Sequence, residues 1–324
     1  MGLPLPRRPA AVLLVLACSA ALAGCSGTDR PALRGEGPGA AGGGASNGAT
    51  TSPLASPSPT PVPLAQLPGG GRTIFPRYRV VCYYGGAGVA ALGVLGEGTP
   101  ARAGRRLLKA AAPFTTPTRP VLPAFELITT VAQAHAGDDG DYSEDTAPAD
   151  VQRYLDAIRK VKGLLVLDFQ PGRSDFLSQV RRYEKFLEQP DVGLALDSEW
   201  HMGPGQVPGK VIGSASAAEI NSVSAYLAGI VARKKLPQKL FVIHQFTFGM
   251  VRDKPQVAPR PGLAVVFHID GFGSRGAKLQ KYAELHVRRP FYNGLKLFYD
   301  EDIKRFSPKE AVALTPSPDL FSYQ

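Results

Sequence analysis

The chain has 324 residues, 44% hydrophobic and 20% charged, and its 37 Lys and Arg against 27 Asp and Glu give a formal net charge of +10. That length and apolar content suffice for one large buried core and exclude a wholly disordered polymer. Of three cysteines, Cys18 and Cys25 precede the folding part, which leaves Cys82 alone there and excludes an intrachain disulfide.

Arg7 and Arg8 precede an apolar run, Ala10 to Ala23, that is too short to span a bilayer and suits a signal-peptide core. Leu22-Ala23-Gly24-Cys25 matches the bacterial lipobox, which implies cleavage before Cys25 and a diacylglyceryl group on its sulfur. Residues 1–24 are therefore expected to be a lipoprotein signal peptide, with Cys25 tying the mature chain to the extracytoplasmic face of the membrane. Removing Arg7 and Arg8 from the total of +10 leaves +8, a modest pull toward anionic headgroups or wall polymers. No nucleic-acid-binding motif is present, and an exported chain is not expected to meet nucleic acid.

Residues 25–72 are almost wholly Gly, Ala, Ser, Thr and Pro, including Ser56-Pro57-Ser58-Pro59. Such a stretch buries too little apolar surface to fold and reads as a disordered tether with a root-mean-square span of roughly 35–40 Å.

From Thr73 short apolar strands alternate with amphipathic helices, the pattern of parallel βα units. The predicted strands are Arg79–Tyr84, Val121–Glu126, Leu164–Phe169, Val192–Asp197, Leu240–Phe246, Leu263–Ile269, Gly294–Tyr299 and Leu320–Tyr323. Helices are expected near 99–112, 147–161, 174–188, 216–235, 275–288 and 307–313, with a proline-interrupted turn near 252–258. Thr99-Pro100, Ser174-Asp175 and Ser307-Pro308 supply helix starts, and Ser216 with Glu219 supplies a capping box. Eight strands in about 250 residues predict a (β/α)8 TIM-type barrel over residues 73–324. An open doubly wound sheet is disfavoured, because Gly85-Gly86-Ala87-Gly88 lacks the spacing of a phosphate-binding loop.

Alternate strand residues share a face, so the polar residues near the strand ends can be assigned to one side. Gly193, Ala195, Asp197 and Glu199 point one way and Val192, Leu194 and Leu196 the other. The same alternation sends Glu126, Asp168, Gln170, His244, His268, Asp270, Lys296, Phe298 and Asp300 toward the C-terminal mouth, where barrel enzymes keep their chemistry. Lys296 is expected to neutralise Glu126 or Asp300, since a buried charge needs a partner. Tyr84, Trp200, Phe272 and Tyr299 offer stacking faces for sugar rings.

Gly193-Leu194-Ala195-Leu196-Asp197-Ser198-Glu199-Trp200 resembles the fourth-strand signature of family 18 glycoside hydrolases, the chitinase-like barrels, Asp-Gly-x-Asp-x-Asp-x-Glu followed by an aromatic residue. The resemblance implies that Asp197 is the last Asp and Glu199 the catalytic acid. Val192 and Ala195 occupy the positions of the first two acids, which departs from that pattern. The shorter Asp-x-Glu is also similar to that of family 25 muramidases, which cut peptidoglycan. A carboxyl pair suits such chemistry when one member stays protonated near neutral pH and its neighbour stays ionised. Glu199 is then the proton donor, and Asp197 orients a substrate N-acetyl group or a water. Asp270 and Asp168 are the candidates for a second direct carboxylate. Glu126, Gln170, Trp200, His244, His268, Tyr84, Tyr299 and Asp300 are the expected substrate contacts.

Two other readings stay open. His244, His268, Asp197, Asp270 and Asp168 are residue types that bind a divalent ion, although Cys82-Tyr83-Tyr84 replaces the His-x-His of metal-dependent amidohydrolases and no His-Glu-x-x-His occurs. The site assignment therefore includes no metal and no cofactor. A barrel lacking two signature acids would also serve as a non-catalytic glycan-binding or scaffold lipoprotein. Gly-x-Ser-x-Gly is absent, which removes support for serine hydrolase chemistry. No exposed apolar helix stripe stands out, so a monomer is expected.

Overall fold

The computed structural model describes residues 63–324; the signal segment, Cys25 and the tether as far as residue 62 lie outside the described residues. Eight parallel strands form a closed barrel: β1 (Arg79–Gly86), β2 (Val121–Ala132), β3 (Leu164–Phe169), β4 (Val192–Leu196), β5 (Lys239–Gln245), β6 (Leu263–Ile269), β7 (Tyr292–Leu297) and β8 (Leu320–Tyr323). Val80 of β1 shows the closure, lying beside Leu122 of β2 on one side and Leu320 of β8 on the other. Helices α1 (Pro100–Ala111), α2 (Pro148–Arg159), α3 (Phe176–Arg182), α4 (Glu184–Leu187), α5 (Ala217–Arg233), α6 (Arg275–Leu285) and α7 (Pro308–Val312) return the chain between strands. The fold is the expected (β/α)8 barrel.

The strand period of two divides the core. Val80, Cys82, Leu122, Ala124, Val166, Ala195, Val242 and Val266 fill the barrel interior. Val81, Phe125, Leu167, Leu194, Phe241 and Phe267 face outward into the larger cluster beneath the helices. Cys82 is buried and free, a small hydrophobe of the interior. The expected caps are present: Thr99 and Asp175 accept backbone N–H groups at the starts of α1 and α3, and Ser216–Glu219 and Ser307–Glu310 form capping boxes.

Four local expectations change. The stretch 174–188 is two helices, because Tyr183 leaves helical geometry at φ −107° and ψ 17° and its hydroxyl donates to the Thr146 carbonyl at 2.8 Å. β2 continues to Ala132, since the β-branched residues after Glu126 extend the strand and pair with Ser143–Asp145. β7 starts earlier and stops at Leu297, so strict alternation does not reach Tyr299 and Asp300.

The fourth change is where the fold begins. Leu67, inside the stretch expected as tether, is 3% exposed, and Arg72 donates to the carbonyls of Lys235 and Leu236 at 3.0 and 2.9 Å. Leu67, Ile74, Phe75 and Tyr78 pack in one cluster with the interior residues and stopper the N-terminal end of the barrel. The apolar end is thereby sealed and the polar end left open. Phe75→Ala is expected to cost about 3–5 kcal/mol of stability in urea unfolding of the full chain. A loss below about 1 kcal/mol would show that the stopper is not part of the cooperative core.

Candidate active site

The C-terminal half of the barrel is organised around His244 of β5, which is fully buried. Its Nδ1 lies 2.8 Å from Asp270 Oδ2 and its Nε2 2.9 Å from Glu126 Oε1. Two carboxylate partners require both ring nitrogens to donate, which makes the ring an imidazolium. Burial lowers its pKa, but the charge of Asp197 and the hydrogen bonds to Asp270 and Glu126 outweigh burial and hold it well above the ordinary value. The reciprocal effect keeps Glu126 and Asp270 ionised: burial would raise both, and the hydrogen bond and charge of His244 bring both below the usual carboxyl value.

The remaining acids go the other way. Burial, then repulsion from Asp197, pushes Asp168 well above the usual carboxyl range. Burial also raises Asp197, with Asp270 adding to the shift. Burial raises Glu199 to about 8, reinforced by Asp197 and Asp270. Glu199 therefore holds a proton at neutral pH while Asp270, on the same cleft, does not.

Tyr84 joins these groups. Its hydroxyl lies 3.2 Å from Asp168 Oδ2 and 3.4 Å from Asp197 Oδ2, and it accepts from Gln170 Nε2 at 3.1 Å. Gln170 is fixed in turn by the Ala132 N–H, 3.1 Å from its Oε1. The Lys296 ammonium stands 3.5 Å from the centroid of the Tyr84 ring. It makes no ion pair with Glu126 or Asp300 among the described residues, contrary to the expectation for it, and a cation–π contact takes that role.

Above this floor opens a cleft of about 520 Å³. Asp197, Glu199, Trp200, Tyr84, Gln170, Asp270 and Lys296 line it together with Phe246, Phe272 and Phe298. β4 ends at Leu196, and Ser198–Trp200 form a single 3₁₀ turn that delivers Glu199 and Trp200 to the cleft. The Gly213 N–H braces this turn by donating to the Glu199 carbonyl at 2.6 Å. A Cβ on Gly213 would lie 2.6 Å from that same oxygen, so only glycine allows the approach.

Glu126, Asp168, His244 and His268 lie beneath the cleft and do not line it. His268 Nε2 meets Ser322 Oγ at 2.7 Å, its ring packs edge-on to His244 at 5.2 Å, and burial drives its pKa down to about 3. His268 is a neutral packing residue, not a substrate contact. Tyr299 and Asp300 fall outside as well: Asp300 is exposed, and Tyr299 stacks on Tyr323 at 5.2 Å. Both corrections follow from the early end of β7. The sequence reading missed the apolar wall of Leu92, Ile128 and Val131. Two of these lie on the unforeseen extension of β2, whose β-branched run is the signal that could have located them.

Asp197, His244 and Asp270 come within 4.8 Å of one another, the spacing of a metal trio. With both nitrogens of His244 donating to carboxylates, the ring has no lone pair for a cation, and the trio offers oxygen atoms only. Ala195, where the family 18 signature has an acid, lies beside Asp168 in the β3–β4 register. A carboxyl thus reaches the neighbourhood of Asp197 from the adjacent strand. Val192 faces the helices in the outer core.

No family model matches the chain, and no curated protein matches it. Among solved structures it is similar to a GH18 chitinase from Pseudoalteromonas aurantia, with 11% identity over 76% of this chain and 94% of the chitinase and a TM-score of 0.37. It is also similar to an alpha-amylase-like protein from Salmonella typhimurium, with 13% identity over 72% of this chain and 35% of that one and a TM-score of 0.23.

A raised carboxyl pKa favours the folded state at low pH and costs stability as pH climbs from the unfolded value through the folded one, here from about 4.5 to about 8. Glu199→Gln removes that cost. The variant is expected to gain melting temperature over the parent at pH 9 and to gain little at pH 5, measured by scanning calorimetry. An equal difference at both pH values would place the Glu199 pKa near its ordinary value.

Proposed function

We propose that this chain is an extracytoplasmic glycoside hydrolase that acts on a cell-wall or environmental glycan, with Glu199 as general acid. In this reading it works as a monomer held to the membrane by a lipid on Cys25. The observation that supports the reading most is the pairing, on one cleft, of a carboxyl kept protonated to about 8 with a carboxylate kept ionised by His244. Glu199 gives its proton to the glycosidic oxygen as the bond to the anomeric carbon breaks, and the bonding electrons leave with that oxygen. Asp197 orients a substrate N-acetyl group or a water, and with Asp270 stabilises the positive charge developing at the anomeric carbon. Water then adds at that carbon and returns a proton to Glu199. Gln170 and Trp200, both on the cleft, hold the sugar in place.

Ala195 and Val192 support a second reading, a glycan-binding lipoprotein without turnover, since each stands where the resembled signature has an acid. A metal-dependent hydrolase is the weaker alternative, because His244 is committed to its two carboxylates.

The test sets the full chain beside its Glu199→Gln variant, each incubated with peptidoglycan fragments and with N-acetylglucosamine oligosaccharides, and counts new reducing ends by mass spectrometry. Cleavage by the parent is expected to fall by about 10²–10⁴-fold in the variant. Tight retention of glycan by both proteins without cleavage would favour the binding reading. Activity that survives the substitution and disappears with a chelator would overturn both.

A further inference from the structure

Phe272 follows β6 on a short loop at the lip of the cleft. It lines the cleft yet is 63% exposed, an unusual setting for a phenyl ring. The ring is held in place. It packs edge-on against Phe298, centroids 5.7 Å apart at 70°, and Phe298 is itself 6% exposed.

The peptide that bears the ring is tied on both sides. The Gly271 carbonyl accepts from Lys278 Nζ at 2.9 Å, the Gly273 N–H donates to Asp302 Oδ1 at 3.3 Å, and the Gly273 carbonyl accepts from the Ile303 N–H at 3.0 Å. Lys278 and Asp302 pair with each other at 3.0 Å, and their side chains are 1% and 0% exposed. The same hub fixes the end of β7: Lys278 Nζ donates to the Lys296 carbonyl at 2.8 Å, and Asp302 Oδ2 accepts from the Phe298 N–H at 3.0 Å.

A fully buried ion pair costs desolvation that apolar residues of the same volume would avoid, so it adds little stability and mainly sets geometry. Here the geometry it sets is that of two rings on one lip, one buried and one bare. A rigid, exposed apolar face continuous with a sugar-sized cleft matches the apolar face of a further sugar ring, which stacks at small entropic cost because the platform is already ordered.

Resting on the glycan reading above, we infer that Phe272 is an outer stacking platform for a sugar beyond the deep cleft, and that the substrate is an extended glycan chain in preference to a disaccharide. Lys278 and Asp302 are positioning residues for this platform.

The test measures binding of disaccharides and hexasaccharides by calorimetry, using N-acetylglucosamine oligomers and peptidoglycan glycan strands of both lengths. The full chain is used in the Glu199→Gln background so that nothing is cut. The hexasaccharide is expected to bind more tightly than the disaccharide. Phe272→Ala should cost the hexasaccharide about tenfold more affinity than it costs the disaccharide, and Phe272→Trp should restore the difference. Asp302→Ala is expected to reproduce that length-dependent loss, and Asp302→Glu to restore part of it. Equal affinity for the two lengths, or equal losses in Phe272→Ala, would overturn the outer platform and leave the glycan reading standing. Absence of binding at either length by every glycan would overturn the glycan reading and the platform with it.

Discussion

The site depends on one buried cation. His244 sits inside the barrel with a carboxylate on each ring nitrogen, and those two hydrogen bonds hold Glu126 and Asp270 ionised while burial raises Asp168, Asp197 and Glu199. Asp197 and Asp270 each bring an oxygen within 4.8 Å of the other and of His244. Two unit charges about 4 Å apart repel by roughly 4 kcal/mol at an effective dielectric constant of 20, so this interior cannot ionise every acid it holds. Glu126 and Asp270 are fixed as anions by the imidazolium, and Lys296 over the Tyr84 ring supplies a second positive charge. The shortfall is met by protons, on Asp168 in the floor and on Glu199 in the cleft. A proton donor at neutral pH is thus a consequence of the burial of Glu199 beside Asp197 and Asp270, which outweighs the opposing charges of Lys296 and His244.

The barrel makes that arrangement affordable by separating its two ends. Leu67, Ile74, Phe75 and Tyr78 close the N-terminal end, and aliphatic residues fill the layers above them. The ionisable groups of the site, Glu126, Asp168, Asp197, His244, His268, Asp270 and Lys296, lie toward the C-terminal strand ends. Helix–strand packing on the outer face then holds eight strand ends at fixed spacing, which brings Glu126 on β2 to 2.9 Å from His244 on β5 and Asp168 on β3 to 3.8 Å from it.

Most of this was legible because the strand period is strict while a strand lasts. Each of the eight predicted strands overlaps a strand of the barrel, and alternation puts Glu126, Asp168, His244 and His268 inside it. The reading fails where strands stop or continue unexpectedly. Asp300 lies beyond the end of β7, and Ile128 and Val131 lie on a β2 six residues longer than predicted. Partner choice was also hidden. Nothing in the spacing distinguishes Lys296 beside a carboxylate from Lys296 over a ring, and nothing shows that His244 is a clamped cation while His268, one strand away, is neutral. The tether's end was misplaced because Leu67 and Arg72 are isolated residues in a Gly/Pro-rich stretch, whose burial depends on surfaces brought from elsewhere.

The ionisation of Glu126 and Asp270 rests on the charge of His244. Nitrogen-15 labelling of the histidines, with the His244 resonances assigned by a His244→Gln variant, reads the protonation of each ring nitrogen directly. Both nitrogens of His244 are expected to carry protons from pH 5 to pH 8, while His268 shows a neutral ring throughout that range. A neutral His244 at pH 7, with one unprotonated nitrogen, would contradict the account, since Glu126 and Asp270 would then lose the charge that holds them ionised.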